Sequence, residues 1–130
     1  MHSNSIKKNF VEEVKTTVSI IRKYGFSKEI SVVITPISIE LLKDLSRHGV
    51  ARIGVGLDVA SERIFNSMSK PYTWSLYLNF ICKAVNIMDR DRVSVHIIVG
   101  LGESDVELAN IMKWIYNVGG RVALFSLYTY

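Results

Sequence analysis

Residues 92–104 (RVSVHIIVGLGES) restrict the possible fold more than any other stretch of the chain. β-Branched residues dominate the first half of the stretch and predict a buried strand. Gly100 and Gly102 follow and predict a tight turn that a ligand can approach closely. Ser104 and Glu107 have the spacing of a capping box, which predicts that a helix begins there. A buried strand that passes through a turn into a helix is typical of parallel α/β folds.

The predicted strand has two different faces, because side chains alternate along a strand. One face is apolar and suited to packing under helices, and it consists of Val93, Val95, Ile97 and Val99. The other face is smaller and partly polar, which suits a binding site, and it consists of Ser94, His96, Ile98 and Gly100. The strand predicted over residues 51–58 repeats this division, with Ile53, Val55 and Leu57 facing helices and Gly54, Gly56 and Asp58 opposite.

The rest of the chain alternates between helix and strand. A first helix is predicted from about Asn9, its N-cap, to Tyr24, and Gly25 ends it. Further helices are predicted from Ser38 to about His48, after Ser61, from Thr73 onward and over residues 107–117. Further strands are predicted over residues 30–36 and 121–128.

This order predicts a single α/β domain over residues 1–130 with parallel strands and helical crossovers. Residues 1–29 form its N-terminal helix and connection. Two layouts fit: an open doubly wound sheet, or a partial (β/α) barrel of the TIM type, a half-barrel of four parallel strands. Four strands cannot close a barrel, for which eight is the usual number. A partner, a second copy or a missing part of the same chain must then cover the edges.

Composition excludes several classes of protein. The chain is 48% hydrophobic, which predicts a packed core. Its net charge is +4, but Lys and Arg are scattered, so we do not expect nucleic-acid binding. No apolar run reaches the roughly 18 residues of a membrane span, and the start lacks a signal peptide, so we expect a cytoplasmic protein. The single cysteine, Cys82, lies in an apolar helical pattern and is expected to be buried and structural.

Candidate binding residues follow from the rule that ligands of parallel α/β folds bind at the carboxyl ends of strands. The rule selects Thr35, Asp58, residues 100–103 and residues 128–130. Asp58 could accept hydrogen bonds from a pair of ribose hydroxyls, or it could help to cap the following helix.

His96 and Glu103 also have two interpretations each. His96 could be a ligand or an acid–base group, but a buried histidine bonded to a neighbour is the simpler interpretation. Glu103 lies beside a helix N-terminus, where we expect it to brace the turn. Trp74 and Trp114 lie in helices and are expected to pack against the core. No metal-ligand spacing, phosphate loop or complete dinucleotide fingerprint is present in the sequence.

The stretches IGVGLD (residues 53–58) and HIIVGLGE (residues 96–103) resemble two motifs of radical S-adenosylmethionine enzymes, especially those like biotin synthase. The first is similar to the fourth barrel strand, which ends in Asn-Leu-Asp and contacts the ribose, although Gly56 replaces the asparagine. The second is similar to GxIxGxxE on the fifth strand, which supports the adenine, although His96 replaces the first glycine. Residues 70–74 (KPYTW) resemble the loop between those strands. The resemblance spans residues 32–130, roughly strands three to six of the barrel.

The resemblance implies that S-adenosylmethionine is the cofactor. The residues that it places at the cofactor are Asp58, Gly56, His96, Ile98, Gly100 and Glu103. It implies no iron–sulfur cluster on this chain, because the CxxxCxxC loop that holds the family's cluster is absent from the 130 residues. The glycine-rich motif after the second barrel strand is absent from them too.

Three interpretations follow from these observations. The chain is the C-terminal half of a radical enzyme, not competent alone and completed by a cluster-bearing N-terminal half-barrel. Alternatively, it is a stand-alone half-barrel that binds or supports other molecules and pairs with a second copy of itself. In the third interpretation, it is an unrelated small α/β enzyme.

Overall fold

A computed structural model describes residues 2–127, and the side chains of residues 5–127. The helices are α1 (His2–Lys23), α2 (Ile39–Arg47), α3 (Glu62–Phe65), α4 (Trp74–Met88) and α5 (Asp105–Asn117). The strands are β1 (Ile30–Ile34), β2 (Val50–Asp58), β3 (Val93–Val99) and β4 (Arg121–Ser126). They form one parallel sheet in the order β1-β2-β3-β4.

The sheet is wound in one direction, because each strand lies beside the strand that precedes it in the chain. Right-handed crossovers then place the connecting helices on a single face. Six residues of β2 and β3 on the helix-covered face are 1% exposed or less: Ile53, Val55, Leu57, Val93, Val95 and Ile97. On the opposite face Val33 is 61% exposed. The predicted α/β class with parallel strands is confirmed, and the layout is that of a partial barrel and not of a doubly wound sheet.

Side-chain caps determine where most of the helices begin. Ser38, Ser61 and Thr73 each accept a hydrogen bond from the backbone N–H three residues ahead. Ser104 and Glu107 form the complete capping box, with both reciprocal hydrogen bonds present. Each cap satisfies a backbone donor that the first helical turn would otherwise leave unpaired. The predictions of these helix starts are therefore confirmed.

The predicted start of the first helix is wrong. α1 begins at His2, so Asn9 lies inside the helix on an exposed surface and does not cap it. Val11 and Val18 are buried in the core and anchor the helix. Extending an existing helix is far easier than nucleating one, so the polar turns before Val11 stay helical. Gly25 follows the helix end with a φ of +90°, as its predicted role requires.

The core lies between the helices and the covered face of the sheet. Trp74 and Trp114 pack against it, as expected. Cys82 on α4 is half-buried and not buried as predicted, because it lies between the buried Ile81 and the exposed Lys83 at the edge of the apolar helix face. Within residues 2–127, no helix is both long enough and apolar enough to cross a membrane.

Candidate functional site

β2 ends in a kink that brings Asp58 onto the uncovered face of the sheet. The pairing with β3 shifts between Gly56, which lies beside His96, and Asp58, which lies beside Ile97. Asp58 has a φ of +75°, a left-handed conformation that Asp and Asn adopt more readily than other non-glycine residues. A Cβ atom on Gly56 would lie 3.1 Å from Asp58 Oδ1. The missing side chain of Gly56 therefore leaves room for the Asp58 carboxylate.

Lys70 holds the Asp58 carboxylate in place. Its Nζ lies 2.7 Å from Asp58 Oδ2 and donates a second hydrogen bond to the Gly56 carbonyl oxygen at 3.0 Å. The lysine is the more buried partner, with its side chain 13% exposed against 35% for Asp58. The Tyr77 ring centroid lies 5.0 Å from the ammonium, which adds a cation–π contact. Ser61, and not Asp58, caps α3.

Glu103 shapes the glycine-rich turn after β3. Its carboxylate accepts hydrogen bonds from the backbone N–H groups of Gly100 and Leu101, each at 3.0 Å. These two hydrogen bonds, with the one from Gly100 the larger effect, hold the pKa of Glu103 below its ordinary value. Gly100 and Gly102 have φ values of +96° and +99°, which allow the sharp reversal. Glu103 thus braces the turn, as its position at the start of α5 led us to expect.

Arg63 on α3 links the segment after β2 to the turn after β3. It donates to the Gly102 carbonyl oxygen at 3.0 Å and pairs with the Glu107 carboxylate at 2.9 Å. Arg63, with a smaller contribution from the Ser104 N–H, lowers the pKa of Glu107 to about 2. The carboxyl-end rim of β2 and β3 is therefore joined by side-chain contacts as well as by the sheet.

The sequence offered no sign of the roles of Lys70 and Arg63. Lys70 contacts a carboxylate 12 residues away, and Arg63 contacts one 44 residues away. Only the resemblance of residues 70–74 to a family loop pointed toward Lys70, and it identified the loop rather than the residue.

His96 lies apart from Asp58, toward the amino ends of the strands. Its ring covers Gly54, where a Cβ atom would lie 2.8 Å from His96 Nε2, and its centroid is 5.2 Å from that of Phe125. It lines a cavity of about 420 Å³ together with Arg52 and Arg121. The expectation of a buried, hydrogen-bonded histidine is wrong. The residue is half-buried, and its side chain makes no hydrogen bond to any described residue.

The remaining candidates lie at different levels of the uncovered face. Ile98 is half-buried beside Phe125 of β4. Thr35 is exposed just after β1. Residues 128–130, which were also selected by the strand-end rule, lie outside the described residues. The structure therefore brings Gly56 and Asp58 together on one strand and Gly100 and Glu103 together on the next.

Potential metal ligands do not cluster in the part of the chain that the structure describes. No group of three His, Cys, Asp or Glu side chains comes together between residues 5 and 127. The one cysteine of the sequence, Cys82, lies on α4 in the helix layer.

Comparison with protein families gave a match over residues 2–115 to the family model described as "Radical SAM superfamily". The matched range includes α1, which precedes the stretches that carry the motif resemblance, and it ends within α5. Comparisons with curated proteins and with solved structures gave no match.

Proposed function

Because the chain belongs to the radical SAM superfamily, we propose that it binds the nucleoside part of S-adenosylmethionine at the carboxyl ends of β2 and β3. In this proposal Asp58 accepts hydrogen bonds from the ribose hydroxyls. Gly56, Ile98 and the turn from Gly100 to Glu103 support the adenine. His96, which lies lower on the same face with its ring over Gly54, borders the site on the side of the amino ends of the strands. The biotin-synthase-like subtype is also part of the proposal.

The observation that carries this proposal is the position of the Asp58 carboxylate at the open rim, beside a glycine-rich turn. Lys70 donates only to Oδ2, so Oδ1 can accept a hydrogen bond from a ribose hydroxyl. A carboxylate at the end of a parallel strand is well suited to a ribose diol. The exposed backbone of Gly100 and Gly102 lets a flat ring approach without meeting a side chain.

The donor set of this chain does not fit the iron–sulfur cluster of the family. A cluster of this kind is held by several cysteine thiolates, and the sequence has one cysteine, which lies on α4. We therefore assign no step of radical chemistry to these residues. The proposal is that a cluster-bearing half-barrel joins the sheet and supplies that chemistry. Its strands would extend the sequential order at the edge of β1.

A second candidate function is a stand-alone half-barrel that associates with a second copy and binds or supports other molecules. The observation in its favour is the apolar surface on the uncovered face, where Val33 is 61% exposed and Phe125 is 49% exposed. Within the described residues β1 and β4 each pair on one side only. Exposed apolar surface and free strand edges both favour association.

Isothermal titration calorimetry with S-adenosylmethionine and S-adenosylhomocysteine tests the proposed site. We expect binding by the wild-type chain and affinity about tenfold lower for Asp58→Asn, since the ribose hydroxyls would donate to a neutral amide oxygen and no longer to a carboxylate. Asp91→Asn is the matched control, because Asp91 also has a positive φ, of +66°, but lies at the opposite end of the sheet. Absence of binding by the wild-type chain, alone and with its partner, would contradict the proposal, as would equal losses in both variants.

Affinity purification of the chain under anaerobic conditions, followed by mass spectrometry, tests the two kinds of partner. Recovery of a stoichiometric protein with a CxxxCxxC motif would support the first candidate. Recovery of the chain only as a homo-oligomer would support the second candidate.

A further inference from the structure

We infer that Lys70 is a positioning residue that holds the Asp58 carboxylate where it meets the ribose. The inference rests on the proposed nucleoside site and adds a residue that lies outside both strand motifs. Lys70 acts through Asp58 and does not itself contact the ligand.

Lys70 fixes the kink at the end of β2 at two points. One ammonium group donates both to the Gly56 carbonyl oxygen, at 3.0 Å, and to Asp58 Oδ2, at 2.7 Å. These two acceptors lie on either side of the shift in strand pairing. The same ammonium lies 5.0 Å from the Tyr77 ring centroid and 6.0 Å from that of Phe65, so aromatic rings enclose it from the core side.

The relative burial of the two charges favours a supporting role for Lys70 over competition with the ligand. The lysine side chain is 13% exposed and the aspartate side chain is 35% exposed, so the ammonium lies beneath the carboxylate. A ligand that approaches from solvent therefore meets the carboxylate first. A lysine that blocked the site would be the more exposed member of the pair.

Loss of the ammonium would leave the carboxylate free to leave its position over Gly56. A binding group performs best when packing and hydrogen bonds hold it in place before the ligand arrives. Asp58 would then have to be ordered during binding, and the affinity for a nucleoside would fall. The Asp58 carboxylate could still accept hydrogen bonds from the ribose hydroxyls. The loss of affinity would therefore be smaller than the loss caused by removing the carboxylate.

A double-mutant cycle on ligand affinity tests this role. Calorimetry with S-adenosylhomocysteine would compare the wild type, Lys70→Met, Asp58→Asn and the double variant. We expect Lys70→Met to weaken binding about fivefold to tenfold, which is about 1 to 1.4 kcal/mol. We expect it to have little further effect in the Asp58→Asn background, because it acts through that carboxylate. Lys70→Arg keeps the positive charge and should recover part of the affinity.

Lys83→Met is the matched control, because Lys83 is an exposed lysine on α4 away from the Asp58 carboxylate, and its affinity should equal that of the wild type. If Lys70→Met does not fold, Lys70→Gln replaces it, since glutamine keeps a hydrogen-bond donor and loses the charge.

Three outcomes separate the hypotheses. Unchanged or tighter binding by Lys70→Met would overturn the positioning role, as would losses that simply add in the double variant. No binding by the wild-type chain would instead overturn the proposed nucleoside site.

Discussion

Tyr77 places a hydroxyl group in the core of the protein. The residue is 1% exposed, and the hydroxyl oxygen has no partner within the described residues. Burial raises the pKa of Tyr77, so the hydroxyl stays protonated near neutral pH. The rings of Phe65 and Tyr72 pack around it with centroid distances of 5.5 and 6.3 Å. Tyr77→Phe removes the hydroxyl and preserves these ring contacts.

The expected effect of Tyr77→Phe is an increase in stability. A buried polar group that lacks a partner costs about 1 to 3 kcal/mol. The void left by one oxygen atom is smaller than that of a methyl group, whose loss costs about 1 kcal/mol. The free energy of unfolding should therefore rise by about 1 kcal/mol. With an unfolding entropy of about 2 cal/mol/K per residue, the melting temperature of a chain this size should rise by about 4 °C.

Urea and thermal unfolding, followed by circular dichroism, measure this change. Tyr116→Phe is the matched control, because Tyr116 on α5 is 50% exposed and its hydroxyl is available to water. Its stability should stay within about 0.5 kcal/mol of the wild type. A lower stability for Tyr77→Phe than for this control would refute the reasoning. It would mean that the hydroxyl accepts a hydrogen bond in solution, and the Lys70 ammonium, which already acts to lower the pKa of Tyr77, would be the donor.

Two further predictions concern the turns and the acid stability. Gly102→Ala should cost about 1 to 2 kcal/mol of unfolding free energy, the strain of a left-handed alanine. Gly119 has the same φ of +99°, but a Cβ atom there would lie 2.9 Å from Val85 Cγ1. Gly119→Ala should therefore lower the free energy of unfolding by about 1 to 3 kcal/mol more than Gly102→Ala does. Equal losses for the two variants in urea unfolding would refute this prediction. The pKa of Glu107 falls from an ordinary 4.5 to about 2 in the folded protein, so its stabilising effect is complete above pH 4.5 and is lost as the pH falls toward 2. For Glu107→Gln, the free energy of unfolding should change less with pH between about 2 and 4.5 than it does for the wild type. A pH dependence as steep as that of the wild type would contradict the contact between Glu107 and Arg63.

Local patterns in the sequence predicted most of the elements, because their causes are local. A serine or threonine before an apolar run predicted the starts of α2, α3, α4 and α5. Alternating side chains predicted which face of β2 and β3 is buried. The start of α1 was not predictable in the same way, because its first turns are polar and remain helical through continuity with the packed part. The order of strands in the sheet depends on contacts between distant residues, so two layouts remained possible from sequence alone.

The placement of Asp58 and Glu103 at one rim of the sheet was predictable, because backbone position determines it. Asp58 and Glu103 follow strands, and the ends of parallel strands meet at one rim. Lys70 and Arg63 were missed because a long, flexible cation can reach many acceptors, and only the folded chain selects one. The alternation of β3 placed His96 on the correct face, but its ring leans toward Gly54 because a glycine in the neighbouring strand leaves space there. That choice depends on a residue more than 40 positions away in the chain.

The hydrogen bonds of Glu103 have a consequence for the thermodynamics of recognition. They order the turn from Gly100 to Glu103 in the free protein, so a ligand meets a turn that is already rigid. The conformational entropy of that segment is therefore lost when the protein folds and not when the ligand binds. At the proposed site, a substitution at Glu103 should therefore appear in calorimetry chiefly as a less favourable binding entropy, because its carboxylate is occupied by the backbone N–H groups of Gly100 and Leu101. A motif residue of this kind raises affinity by reducing the number of conformations that compete with the bound one.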